Sequence, residues 1–239
     1  MNILVACEES QRVCKAFREQ GHNAYSCDIE PCSGGRPEWH IRTDVLTLLA
    51  PSRYHSPLSF QYVDAILFQT SDGELHEVSK WDMLIAFPPC TYLTKAGACN
   101  IPKHPERIEL GEQAREFFMK LYTCGIERIA IENPVPMKRF NLPKPSMHFQ
   151  PYEFDDGTSD NDYSKYTYLW LKNLPPLMPT VCPDFSYKYP SWCKVNESDV
   201  KDRAKNRSKT FPGVARAMAL QWGGVIVIVL RARRYFRHN

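Results

Sequence analysis

An apolar strand, an amphipathic helix and a second strand occupy the first thirty residues, and this order constrains the fold more than any other feature of the chain. Met1 to Cys7 (MNILVAC) is a near-continuous apolar run of strand length. Ser10 stands where a helix N-cap belongs, Val13, Ala16 and Phe17 recur at helical spacing, and Gly21 stops the helix before His22 to Cys27 resumes a strand pattern. The expectation is an α/β protein with a mostly parallel, doubly wound sheet. Such sheets bind ligands at the carboxyl ends of their strands, so the residues that follow each apolar run are the first candidates for function.

The loop after the first strand, Ala6 to Gln11 (ACEESQ), contains no glycine, although a bound pyrophosphate needs glycine there so that the backbone can approach it. Glu8 and Glu9 would also repel phosphate. A ligand with a ribose and no phosphate, such as S-adenosylmethionine, suits Cys7, Glu8, Glu9 and Ser10 better than NAD or ATP. The second strand runs into Asp28-Ile29-Glu30, with Asp28 about twenty residues after the first turn, where such folds place an acid against ribose hydroxyls. An ordinary turn aspartate is the alternative. Asp44, followed by Val45, falls at the end of a third strand within Ile41 to Leu49 and reads either as a wall of an adenosine pocket or as the cap of the turn Val45 to Leu48.

Trp81 to Thr94 (WDMLIAFPPCTYLT) is the most specific stretch. Met83 to Phe87 reads as a buried strand, and Pro88-Pro89 forbids its continuation as ladder or helix. Cys90 is thereby held at a strand's carboxyl end. A lone cysteine in such a place is usually a small buried hydrophobe. Here a second run, Arg128 to Ile131, delivers Glu132-Asn133-Pro134 to the same edge. A thiol and an acid on one wall suit addition to carbon 6 of cytosine, with the acid at ring nitrogen 3 stabilising the charge that develops. The small-residue loop Tyr92 to Gly97, carrying Thr94 and Lys95, is suited to closing over a substrate.

These residues resemble a known family. Phe87-Pro88-Pro89-Cys90 with Glu132-Asn133-Pro134 is similar to the Pro-Cys and Glu-Asn-Val type motifs of DNA cytosine-5 methyltransferases. The closer resemblance, over about residues 1 to 223, is to a compact branch common in phages and prophages. It rests also on Val5 to Glu8, Ser26 to Asp28, Leu169 to Leu177 and Arg207 to Gly213.

The resemblance implies a Rossmann-like class I methyltransferase that uses S-adenosylmethionine and acts on DNA with a flipped cytosine. Cys90 would be the nucleophile and Glu132 the acid. The cofactor would meet Cys7, Glu8, Glu9, Ser10, Asp28, Ile29, Asp44, Val45, Phe87 and Pro89. Asn133, Pro134, Thr94, Lys95, Lys165, Arg203 and Arg207 are the substrate-side candidates. Two segments depart from the family pattern. Glu8 to Gln11 replaces a glycine-rich motif, and Tyr163 to Thr167 stands where Gln-x-Arg-x-Arg is usual.

The expected organisation is a catalytic core over residues 1–171 with an inserted hairpin at 61–80, signalled by Asp72-Gly73. Pro105 to Cys124 should form an amphipathic helix, and Lys165 to Leu171 a strand. A short irregular segment, 172–205, interleaves aromatics with bases as nucleic-acid contacts do. A returning helix at 206–223 and an apolar, basic tail at 224–239 complete the chain.

A net charge of +3 does not by itself imply a nucleic-acid partner. Nine cysteines without a C-x-x-C pair predict reduced thiols, no metal and a cytoplasmic location, in a bacterial cell or phage-infected host by the resemblance. The longest C-terminal apolar run, Val225 to Leu230, is too short to span a membrane. Two other readings remain open at this point. One is an amino methyltransferase acting on exocyclic nitrogen, and the other a non-catalytic DNA-binding homologue.

Overall fold

The computed structural model describes residues 1–154, 163–181, 189–190 and 209–224. In chain order the first elements are β1 (Asn2–Ala6), α1 (Arg12–Glu19), β2 (Asn23–Asp28) and β3 (His40–Arg42). Next come β4 (Ser52–His55), β5 (Tyr62–Gln69), β6 (Leu75–Val78), β7 (Met83–Ala86), α2 (Arg107–Thr123) and β8 (Arg128–Pro134). Then follow β9 (Met147–Phe149), β10 (Tyr163–Ser164), β11 (Thr167–Lys172), β12 (Tyr189–Pro190) and α3 (Pro212–Trp222).

The main sheet has seven strands in the order β3-β2-β1-β7-β8-β11-β9. Strands β3 to β8 in that order are parallel, whereas β11 runs antiparallel to both β8 and β9. The chain builds outwards from β1 through β2 and β3, then returns to the other side of β1 with β7 and β8. The order therefore reverses between β1 and β7, the place where open α/β sheets form a ligand crevice. Register aligns the strand ends there, because Ala6 is level with Ala86, and Ala86 with Ile131. The antiparallel β11 brings its amino end, just after Lys165, to that same edge, since Thr167 pairs with Pro134.

Burial on both faces explains why these strands read as unbroken apolar runs. Alternate side chains divide between two cores. Ile3, Val5, Met83, Ile85 and Ala130 pack towards Phe17 of α1 and Val214, Met218 and Trp222 of α3. Leu4, Ala6, Leu84, Ala86, Ile129 and Ile131 pack towards Phe118 and Leu121 of α2. Within α2, Gly111 lets the Phe140 ring lie against the helix; a Cβ there would sit 2.1 Å from Phe140 Cζ.

The inserted hairpin is present, with β5 and β6 antiparallel around Ser71 to Glu74, but it is larger than expected. β4 pairs with β5 to make a three-stranded sheet beginning at Ser52. Ile66, Phe68 and Val78 turn inwards onto Trp81 and Tyr25, so the insertion shares the core of the main sheet. Ser10 does not cap α1; the helix starts at Arg12 behind Gln11, and the capping carboxylate comes from Glu8. The helix expected over 105–124 spans Arg107–Thr123, and the strand expected from Lys165 begins at Thr167. The returning helix is α3. Val225 to Leu230, the basic tail and most of the 172–205 segment lie outside the described residues.

Candidate functional site

The β1 loop replaces glycine with left-handed backbone at two ordinary residues, Cys7 (φ 57°) and Gln11 (φ 59°). Each costs roughly 1 kcal/mol, so the surroundings must hold them. They do. Glu8 turns back on α1, and its carboxylate accepts the Val13 amide at 2.6 Å and the Cys14 amide at 3.1 Å. Gln11 is fully buried; its Nε2 donates to the Arg36 carbonyl at 2.8 Å, and its Oε1 accepts the Arg36 amide at 3.0 Å. The glycine that permits this close packing lies across the loop at Gly34, where a Cβ would fall 2.6 Å from Gln11 Cβ. Burial pushes the Glu8 carboxyl up to about 7, against the pull of its two backbone hydrogen bonds.

Beside this loop a cavity of about 460 Å³ opens at the carboxyl ends of β1 and β2, within the size range of small-ligand sites. Cys7, Cys27 and Val45 supply apolar wall, and Asp28, Glu30 and Asp44 supply carboxylates. Ala114 and Phe117 of α2 and Pro89 close the opposite side. Asp28 accepts the Glu30 amide at 3.0 Å, and burial raises its carboxyl above the ordinary range. Asp44 caps the 3-10 turn Val45–Leu48 through the Leu46 amide at 3.0 Å, and it also lines the cavity. Burial also raises Cys7, and it pushes Cys27 up to about 12, so these two thiols act as neutral wall.

The Pro-Pro turn separates this cavity from a second, much tighter pocket. Phe87 continues β7 by donating its amide to the Ala6 carbonyl at 3.0 Å, Pro88 is buried, and Pro89 faces the cavity. Cys90 follows half-buried, and its carbonyl accepts the Leu93 and Thr94 amides, both at 3.0 Å. The segment beyond is stitched to the one beyond Glu132. Lys95 donates its amide to Val135 O at 2.8 Å, and Met137 donates to Leu93 O at 2.7 Å. The Cys90 and Glu132 motifs are thus joined by main-chain hydrogen bonds as well as by strand register.

Glu132 lines the tight pocket together with Phe87, Phe149, Lys165, Thr167 and Phe211. Its Oε1 lies 3.6 Å from Lys165 Nζ, an ion pair beyond hydrogen-bond reach, and that oxygen has no hydrogen-bond partner. The free volume, about 20 Å³, holds a water but not a nucleobase. A base would enter only by displacing side chains of this wall. The Asn133 side chain is fully buried with neither amide atom hydrogen-bonded. Strand alternation puts it on the α2 face with Ile129 and Ile131, whereas Glu132 shares the α3 face with Ala130.

Of the cofactor-side candidates, Cys7, Asp28, Ile29, Asp44, Val45 and Pro89 line the large cavity. Glu8, Glu9 and Ser10 are buried in the loop after β1 and do not line it, and Phe87 belongs to the Glu132 pocket. Of the substrate-side candidates, Lys165 meets Glu132, Thr94 caps the short helix Lys95–Asn100 through the Ala96 amide, and Lys95 is exposed. Pro134 ends β8, and Arg203 and Arg207 lie outside the described residues. Thr43, Glu30, Ala114 and Phe117 were not among the sequence candidates.

Buried polar side-chain atoms without hydrogen bonds occur among the described residues at Glu9, His22, Glu132, Asn133 and Gln150. Native proteins leave few such groups, and Glu9, Glu132 and Asn133 all follow or end strands at the carboxyl edge of the sheet. Among the described residues no group of three His, Cys, Asp or Glu is placed to hold a metal ion, and no helix is long and apolar enough to cross a membrane. In comparisons with known proteins, the chain matches no protein-family model and no curated protein.

Proposed function

We propose that the chain is an S-adenosylmethionine-dependent DNA cytosine-5 methyltransferase. The observation that carries this reading is the placement of the Phe87-Pro88-Pro89-Cys90 turn. Phe87 faces the acid-bearing pocket and Pro89 the ligand-sized cavity, so the turn lies between the two hollows that this reading assigns to the base and to the cofactor. The cavity walls fit an adenosine: Asp28 at the end of β2 is an acceptor for ribose hydroxyls, and Val45, Ala114 and Phe117 offer apolar contact to a ring. When bound, S-adenosylmethionine supplies an electrophilic methyl group.

The residues of the chain do the rest. Cys90 adds as the thiolate to carbon 6 of the cytosine, which makes carbon 5 nucleophilic. Glu132 holds a proton at ring nitrogen 3 and stabilises the charge that forms there. Lys165 neutralises the Glu132 carboxylate in the closed pocket and gives way as the base enters. Once carbon 5 carries the methyl group, its proton passes to a water molecule, the C–H electron pair re-forms the carbon 5–carbon 6 double bond, and Cys90 leaves as the thiolate. The target base must first leave the helix, at a cost of a few kcal/mol that groove contacts offset.

The test is methyl transfer from labelled S-adenosylmethionine to mixed-sequence duplex DNA, followed by digestion to nucleosides. The expected product is 5-methylcytosine. N-methylated bases would instead favour an amino methyltransferase. Absence of any labelled base, from folded protein with bound cofactor, would point to a DNA-binding homologue without this activity.

A further inference from the structure

Arg107, the first residue of α2, reaches across to the main chain just after Cys90. Its Nη2 donates to the Thr91 carbonyl at 3.0 Å, and its guanidinium lies 4.8 Å from the centre of the Tyr92 ring. One cation thus grips both residues that follow Cys90. Gly97 closes the arrangement from the other side, because a Cβ there would stand 3.1 Å from Thr91 O and 3.3 Å from Arg107 Nη2.

Helix energetics do not account for an arginine at this position. A cation in the first turn opposes the helix dipole, and among the described residues no acid forms an ion pair with Arg107 to offset that. What it touches is the Cys90 loop. The loop is anchored on either side of this contact: Phe87 donates to Ala6 O, while Leu93 is fully buried, its carbonyl accepts the Met137 amide, and Lys95 donates to Val135 O. Thr91 and Tyr92 lie between those anchors, next to the thiol, and Arg107 holds them.

We propose that Arg107 is a positioning residue for Cys90, fixing the loop before substrate arrives so that the thiol stands at the sheet edge without a closing movement. The inference rests on the reading of Cys90 as the nucleophile. A nucleophile already in place has less freedom to lose at attack, and a misplacement of about 1 Å can slow such a step by about a hundredfold.

The test has two arms and uses the full chain. In the first, hydrogen exchange is followed by mass spectrometry in the unaltered protein and in Arg107→Ala. The Leu93 and Thr94 amides, which donate to Cys90 O, should exchange about tenfold or more faster in the variant, and the amides of α2 within about twofold of normal. In the second, covalent trapping on duplex DNA containing 5-fluorocytosine should slow about tenfold or more, with S-adenosylmethionine affinity within about twofold of normal. Arg107→Lys keeps a donor and a cation near the ring, and should recover part of both effects. Gly97→Ala crowds the same hydrogen bond without removing charge, should move both readouts in the same direction, and carries the test if Arg107→Ala does not fold. If either loop exchange or trapping stays within about twofold of normal, the role of Arg107 is overturned and the reading of Cys90 stands. Loss of cofactor affinity together with trapping would also overturn it, marking Arg107 as an anchor for α2, whose Ala114 and Phe117 line the cavity. No trapping by the unaltered protein would overturn the reading of Cys90 and this proposal with it.

Discussion

The two hollows on either side of the Pro-Pro turn are built on opposite principles. The cavity against β1 and β2 is roomy, about 460 Å³, and carries carboxylates with no base on its walls. The pocket against β8 is closed down to about 20 Å³ and pairs its acid with Lys165. Both stand at the carboxyl edge of one sheet, so topology alone does not distinguish them. The difference lies in what each must do before its ligand arrives. The cavity stands open, with its carboxylates already on its walls. On the proposed reading, the pocket with its paired acid stays shut until a base displaces the pair, which would protect a reactive site from water.

If this division is right, substitutions on the two sides should fail in different ways. Glu132→Gln should lower methyl transfer by about a hundredfold or more, the usual cost of removing a group aimed at developing charge, with cofactor binding within about twofold of normal. Asp28→Ala should instead weaken cofactor binding by about tenfold, and excess cofactor should restore much of the rate. Parallel calorimetry and turnover measurements on both proteins check this. A Glu132 variant that loses the cofactor, or an Asp28 variant that cannot be rescued, would dissolve the distinction.

A smaller effect concerns the loop that borders the cavity. The Glu8 carboxyl is raised from its ordinary 4.5 to about 7 by burial, so the folded state favours its protonated form. Its contribution to stability is full below about pH 4.5 and fades as pH rises towards about 7. Glu8→Gln keeps an acceptor for the α1 amides and does not titrate. Denaturant melts across this range should show the unaltered protein losing stability relative to Glu8→Gln as pH rises. A constant difference between the two would contradict the burial argument.

Much of this architecture was legible in the sequence. Strands buried on both faces leave unbroken apolar runs, so β1, β2, β7 and β8 could be read directly, and the prolines after Phe87 marked the turn. The Asp72-Gly73 turn announced the hairpin, but β4 (Ser-Arg-Tyr-His) is an exposed edge strand whose composition carries no burial signal. Ser10 had the usual capping side chain; Glu8 caps instead because the chain doubles back at Cys7, a tertiary fact. Ala114 and Phe117 looked like ordinary core positions on a helix, and only the packing of α2 across the sheet edge makes them cavity wall. Asn133 was grouped with Glu132 by adjacency, although strand alternation sends the two to opposite faces.

The central claim is that Cys90 attacks a cytosine at this edge, and trapping the attack tests it most directly. The full chain is incubated with S-adenosylmethionine and duplex DNA in which 5-fluorocytosine replaces cytosine, then run under denaturing conditions and mapped by mass spectrometry. Because fluorine cannot leave as a proton does, a covalent adduct on the Cys90 peptide is expected, and Cys90→Ser should form none. No adduct from protein that binds both cofactor and DNA, or an adduct on another cysteine, would contradict the account.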